Sequence, residues 1–236
     1  MPDLNQHHYA MTETDLQSRV LFKDKLILVI NKPAGIPVHP GPGAAPSLED
    51  YFEALKFELP HAPWLAHRLD RDTSGCLILG RQKKALRRLS RLFETGSITK
   101  TYWAIVHGAP KDESGLIDNH LEKIKTLKGW YMKVAKENAN SQSAVTSWKV
   151  MKRGDGWTWL ELRPKTGRTH QIRVHCQSLG CPVIGDWVYG PPAPEGKILP
   201  LLHLHARSVH IPLYEGEAPV YVEAPAPGHM IKMTAF

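Results

Sequence analysis

The sequence predicts an α+β fold: a mixed, mostly antiparallel sheet flanked by helices. Two observations carry this. Strand-like and helix-like segments are interspersed without a strict β-α-β rhythm, and several neighbouring strands are separated by turns of hairpin length. A third sets the organisation. The chain has 236 residues, ample for a core, and shows no internal repeat or low-complexity linker. One catalytic domain over residues 19–236, preceded by a loose polar arm at 1–18, is therefore the economical reading.

The elements follow in order. Met1 to Ser18 is polar and carries no periodic apolar pattern. Val20–Phe22 and Leu26–Ile30 read as strands around Lys23-Asp24-Lys25. Asn31 to Pro46 is too rich in proline and glycine for either regular element. Ser47 with Asp50 forms a helix-start box, followed by Leu48, Tyr51, Phe52, Leu55 and Leu59 at helical spacing. A charged run, His67 to Gly75, leads into the apolar strand Cys76–Leu79. Next comes an amphipathic helix: Ala85, Leu86, Leu89, Leu92 and Phe93 face one way and Lys83, Lys84, Arg87, Arg88 and Arg91 the other, with a stop at Gly96. Ile98–Val106 is strand-like and ends at Gly108. Ala144 to Leu162 reads as two strands around the turn Arg153-Gly154-Asp155-Gly156. Thr169 caps a short helix reaching Leu179, terminated by Gly180. The remainder is strand-like with proline punctuation. Gly41–Pro46, Asp112–Glu137 and Pro191–Lys197 carry no readable pattern, although Trp130 and Tyr131 suit either base stacking or core packing.

Charge and composition narrow the function. A net charge of +7, before counting 13 histidines, points to a polyanionic partner, and nucleic acid is the expected one. No apolar run is long enough to span a bilayer and no signal-type segment opens the chain, so a cytoplasmic protein is expected. Three cysteines make no disulfide framework, and Cys176 and Cys181 are too far apart for a zinc knuckle, which leaves reduced structural thiols. The phosphate-loop, dinucleotide-binding and nucleophile-elbow patterns are all missing; Lys165-Thr166-Gly167-Arg168-Thr169 is only superficially like the first.

Two segments concentrate polar chemistry. His67-Arg68-Leu69-Asp70-Arg71-Asp72-Thr73-Ser74-Gly75 packs carboxylates and cations beside a core strand, where geometry and ionisation can be controlled. Its bland alternative is a polar loop closing before a strand. In Arg163 to His175, a glycine turn before a helix start offers backbone donors to an anion, reinforced by Arg163, Lys165 and Arg168. Arg173, one turn inside that helix, needs a carboxylate partner if it is buried, and Asp70 is the natural candidate. His203-Leu204-His205 opens a different reading. On a strand the two rings share a face and could join Asp70 or Asp72 around a metal, although a carboxylate-rich ligand set is missing.

At this point the residues resemble a known family. His67-Arg68-Leu69-Asp70 with Thr73-Ser74-Gly75 is similar to the signature of the RluA family of RNA pseudouridine synthases. Three more segments agree in order. They are Ile30–Gly35 with Val38–Gly41, Lys100–Gly108, and Leu162-Arg163-Pro164 through Gly167–His175 with Gly185-Asp186, so the resemblance runs from about Leu21 to Pro227. It implies isomerisation of uridine to pseudouridine in rRNA or tRNA by a monomer, without cofactor or metal and without a separate S4-type domain. It assigns Asp70 as the carboxylate that acts on the ribose, by attack at C1′ or by an elimination route. Arg173 would pair with Asp70, and Tyr102 would sit beside the uracil. Arg68 would fill the space left by a flipped base. His67, Lys100, Arg168, Thr169, His170 and Gln171 become candidates for RNA contact, whereas Arg71 and Asp72 become supporting structure. A metal-dependent hydrolase using His203 and His205, or a non-catalytic RNA-binding module, remains the alternative. Retention of Asp70, Tyr102 and Arg173 speaks against the second.

Overall fold

The computed structural model describes residues 11–41, 46–127 and 129–234. They group into two compact units. One runs to Lys100 and takes in His205–Pro227; the other comprises Thr101–Leu204 and the segment from Gly228.

In the first unit, β1 (Val20–Lys23) pairs antiparallel with β2 (Ile27–Lys32), and β2 with β4 (Ser74–Gly80). The other edge of β4 takes β3 (Trp64–Leu65) antiparallel near Gly80 and β10 (Leu204–Ile211) parallel at Ser74 and Gly75. β11 (Val220–Glu223) closes against β10. All seven residues of β4 are buried. This accounts for the uninterrupted Cys76–Leu79 run, since a strand covered on both faces has no polar side to alternate with. The predicted amphipathic helix is α2 (Lys83–Glu94), whose Leu89 packs with Ile27, Val29 and Ile78. Ser47 N–H donates to Asp50 at 2.8 Å, as the box predicts, but Leu48–Leu55 winds as a 3₁₀ helix.

The loose arm needs correction. Residues 13–18 form α1 (Glu13–Ser18), with the Thr12 hydroxyl capping Asp15 N–H at 3.1 Å. Leu16 is fully buried and Gln17 Nε2 donates to Ala54 O at 2.7 Å. One apolar anchor in six residues is too little periodicity to show in the sequence. The rest of that segment, residues 1–10, lies outside the described residues.

The second unit is an antiparallel sheet in the order β5 (Thr99–His107), β9 (Trp157–Pro164), β8 (Ser141–Gly154), β6 (Ser114–Thr126), β7 (Gly129–Ala135). The β8–β9 turn is where the glycines place it; a Cβ on Gly154 would lie 2.1 Å from the Trp157 indole. α3 (Gln171–Ser178) covers the sheet through Ile172 and Cys176, which join Ala104, Leu160 and Leu162 in one cluster. α3 ends before Gly180 (φ +73) as expected, but its start differs. The N-cap is His170 in the left-handed region (φ 53), not Thr169, and no side chain caps it. Gly228–Thr234, within the remainder expected to be strand-like, forms the helix α4.

Candidate active site

In the first unit the Asp70 turn is built over a buried lysine. Lys32, at the end of β2, is fully buried, and its Nζ donates to the carbonyls of Pro33 (2.8 Å), Arg71 (2.8 Å) and Thr73 (3.0 Å). An ammonium has three donors, and all three are used. Burial pulls Lys32 down to about 7, against the attraction of Asp72 and Asp70. Thr73 N–H donates to Asp70 O at 3.1 Å and Gly35 N–H to Arg71 O at 3.0 Å, so the backbone on both sides of Asp70 is tied down. Asp70 itself is half-buried and Arg68 is exposed. Arg71 and Asp72 form a bidentate pair with each other (3.0 and 3.1 Å), which suits a supporting role. At Gly75 (φ +108) a Cβ would lie 2.2 Å from Ala206 O, so only glycine lets β4 and β10 meet there.

His67 turns inward. Its Nε2 accepts from Ile78 N–H at 2.9 Å, its ring lies 4.7 Å from Phe93, and burial together with the nearby Lys100 charge pushes it down to about 3. Burial also lowers Lys100. The neutral His67 and the half-buried Lys100 therefore share one partly desolvated corner.

The second unit holds Tyr102, Arg173 and the loop before α3. Arg173 is 4% exposed and grips Asp186 through Nε (2.6 Å) and Nη2 (2.7 Å). The same Asp186 carboxylate accepts from Val188 N–H (3.0 Å) and Tyr189 N–H (3.1 Å), and the Tyr189 ring lies 5.0 Å from the guanidinium carbon. Asp186 went unrecognised as a partner for Arg173. Gly185-Asp186 follows the arginine-bearing motif, but thirteen residues of separation give no local signal of pairing. Tyr102 is half-buried against the Ala104–Leu162 cluster.

Gln171 explains where α3 begins. Its side-chain oxygen accepts from Arg168 N–H (2.9 Å) and the Thr166 hydroxyl (2.7 Å), and its Nε2 donates to Val145 O (3.1 Å) and Thr146 Oγ1 (3.0 Å). Thr146 passes its own proton to His175 Nδ1 at 2.9 Å, and His175 Nε2 donates to Asn119 at 3.1 Å. Gln171, 4% exposed, thus staples the Arg168 loop to the sheet and is spent on protein contacts. Arg163, Lys165 and Arg168 stay exposed, with Arg168 Nε on Ser143 O at 3.0 Å. His170 bonds Tyr189 Oη at 2.8 Å and stacks on Trp130 at 5.1 Å. Trp130 is 43% exposed and Tyr131 37%, so neither is core.

The histidine pair proposed for a metal is committed otherwise. His205 bonds Ser74 Oγ through Nδ1 (2.8 Å) and Ala224 O through Nε2 (3.2 Å), while His203 Nδ1 donates to Leu201 O at 2.7 Å. Among the described residues no group of three or more His, Cys, Asp or Glu could hold a metal ion.

Burial sets a pH response. His175 is fully buried and His203 nearly so, and burial pushes each from 6.5 to about 4. Both are neutral in the fold, so below pH 6.5 the unfolded chain binds more protons than the folded one. Stability is therefore full above 6.5 and declines as pH falls toward 4, by ~3 kcal/mol for each histidine. Thermal melting from pH 7.5 to 4 should show this decline, and a melting temperature constant between 6.5 and 4.5 would contradict it.

Comparison with known proteins covers most of the chain. Residues 26–178 match the model of the family described as RNA pseudouridylate synthase. An uncharacterized RNA pseudouridine synthase of Zymomonas mobilis is 43% identical over 90% of this chain and 95% of its own length. The ribosomal large subunit pseudouridine synthase C of Buchnera aphidicola is 36% identical over 90% of this chain and 68% of its own. The solved structure of human RNA pseudouridylate synthase domain containing 4 superposes with a TM-score of 0.77 at 29% identity, covering 93% of this chain and 92% of that one.

Proposed function

Since the chain belongs to the RluA family and is an RNA pseudouridine synthase, an intramolecular isomerase, we propose that Asp70 supplies the carboxylate that acts on the ribose of the target uridine. The C1′–N1 bond breaks, the uracil turns, a C1′–C5 bond forms, the C5 proton passes to solvent, and N1 takes up a proton in its place. The reaction adds and oxidises nothing, so it calls for no cofactor. Asp70 enters either as nucleophile at C1′ or as base in an elimination. Arg173, held by Asp186, supplies the cation of the reaction, and Tyr102 lies against the uracil and handles a proton. Arg68, exposed on the same turn, fills the gap left by the flipped base, a step that offsets part of the few kcal/mol of unstacking. Arg168, Thr169, His170 and Lys100 hold the RNA. His67 and Gln171, whose polar atoms bond to protein, position the Asp70 turn and the Arg168 loop.

The observation that carries this reading is the Asp70 turn, held by three carbonyl bonds to a buried ammonium. A carboxylate on so fixed a backbone is preorganised for one geometry. The substrate is a structured RNA, and the Buchnera relative's name favours ribosomal RNA over transfer RNA. The enzyme works as a cytoplasmic monomer; among the described residues no helix is long and apolar enough to cross a membrane. Purified protein is expected to release tritium from C5-labelled uridine in ribosomal RNA, and deleting the gene should remove one or a few pseudouridines from that RNA. Losses confined to transfer RNA would reassign the substrate. An unchanged pseudouridine map together with no tritium release would overturn the proposal.

A further inference from the structure

We propose that the exposed face of α2 is a docking surface for the phosphate backbone of a helical RNA segment flanking the target uridine. This rests on the reading of the protein as an enzyme acting on structured RNA.

Lys83, Lys84, Arg87, Arg88 and Arg91 are all exposed and fall within a stripe of roughly 140° around the helix. Among the described residues none of the five is in an ion pair. Glu94, the one carboxylate of the helix, stands in its last turn. The pattern opposes the helix that carries it. Two lysines and no carboxylate occupy the first turn, at the positive end of the macrodipole, and Glu94 stands at the negative end, where Arg91 alone has the favourable sign. Lys83 and Arg87, Lys84 and Arg88, and Arg87 and Arg91 are like charges one turn apart. The N-cap Gln82 makes no side-chain capping bond. A face meant only for solvent would mix signs and reverse the ends. Here local stability is given up for a single-sign surface, and a polyanion is the partner that restores it. Three of the five are arginines, whose forked donors match phosphate oxygens.

Placement supports the same partner. Phe93, in the last turn of α2, touches His67, the residue before Arg68 on the approach to Asp70. At the other end, a Cβ on Gly80 would lie 3.2 Å from the Leu86 backbone, so glycine lets the helix press directly on β4. The cationic face is thereby fixed to the strand that carries the Asp70 turn. Twelve residues span about 18 Å, enough to follow several phosphates. Recognition of this kind reads charge and A-form shape rather than sequence.

The test uses the full chain and pseudouridine-free transcribed ribosomal RNA, with affinity measured from 50 to 300 mM salt. Lys84→Glu/Arg88→Glu is expected to weaken binding at least tenfold at low salt and to flatten the slope of log affinity against log salt by about 2. Its melting temperature should equal or exceed that of the parent, because like-charge pairs are relieved, and kcat at saturating RNA should be retained. If that variant melts lower, Arg87→Gln/Arg91→Gln decides, since it removes repulsion without adding charge. Unchanged affinity and slope in a stably folded variant would overturn the proposal. So would a loss confined to binding of phosphatidylserine vesicles, which would assign the face to a membrane. The two readings fail separately: an α2-dependent slope without tritium release sinks the catalytic assignment, and tritium release with an unchanged slope sinks only the docking face.

Discussion

Asp70→Asn is expected to abolish tritium release from C5-labelled uridine, with at least ~10⁴-fold loss of kcat, while leaving the melting temperature within a few degrees of the parent. Loss of a nucleophile or essential base is worth ~5 kcal/mol or more of transition-state stabilisation. The fold should survive because the turn is held by backbone. Lys32 binds the carbonyls of Pro33, Arg71 and Thr73, and Thr73 N–H binds the carbonyl of Asp70, so none of these bonds uses the carboxylate. Asparagine keeps the shape and removes the charge. Single-turnover assays at saturating RNA, with circular dichroism on the same preparation, measure both parts. Retention of more than about one per cent of the rate would move the essential carboxylate elsewhere.

Asp186→Ala is expected to destabilise the protein by ~3–5 kcal/mol and to abolish activity at ordinary temperature. The change leaves the nearly buried Arg173 without the carboxylate that holds two of its donors, and strips the Val188 and Tyr189 amides of their acceptor. For a chain of this size the loss corresponds to a fall in melting temperature of about 6–20 °C. Asp186→Asn, which keeps acceptor oxygen at one position, should fall between. The contrast is Arg71 with Asp72, whose side chains are 33% and 23% exposed. That pair is screened by water, and Asp72→Asn should cost under ~1 kcal/mol. If Asp186→Ala melted as the parent does, the buried pair would not be what aims Arg173.

Some elements are legible because their physics is local. β4 shows as an apolar run because both faces are covered, and α2 because only its Ala85–Leu89 side is buried. The β8–β9 turn shows because Gly154 leaves room for the Trp157 indole and Gly156 takes a positive φ that glycine favours. The β6–β7 pair stayed unread within Asp112–Glu137 for the opposite reason. Its buried residues Ile117 and Leu121 are four apart, and between them Asn119 spends its polarity on His175. A strand face interrupted by a partnered polar residue loses its two-residue period. α3 begins after His170 rather than Thr169 because Gln171 reaches across to β8, a contact invisible in the local sequence.

The candidate residues divide the same way. By itself the sequence determined the family, through four ordered motifs, and with it Asp70, Tyr102 and Arg173 as the residues to test. Residue type and spacing suffice there, because the chemistry needs particular groups in a particular order. Only the tertiary structure decided how those groups are held: Lys32 beneath the Asp70 turn, Asp186 on Arg173, Gln171 on the Arg168 loop, and His205 committed to Ser74 and Ala224 rather than to a metal. Each of these is a buried polar group whose cost is met by partners distant in sequence. Burial and pairing arise only once the chain has folded.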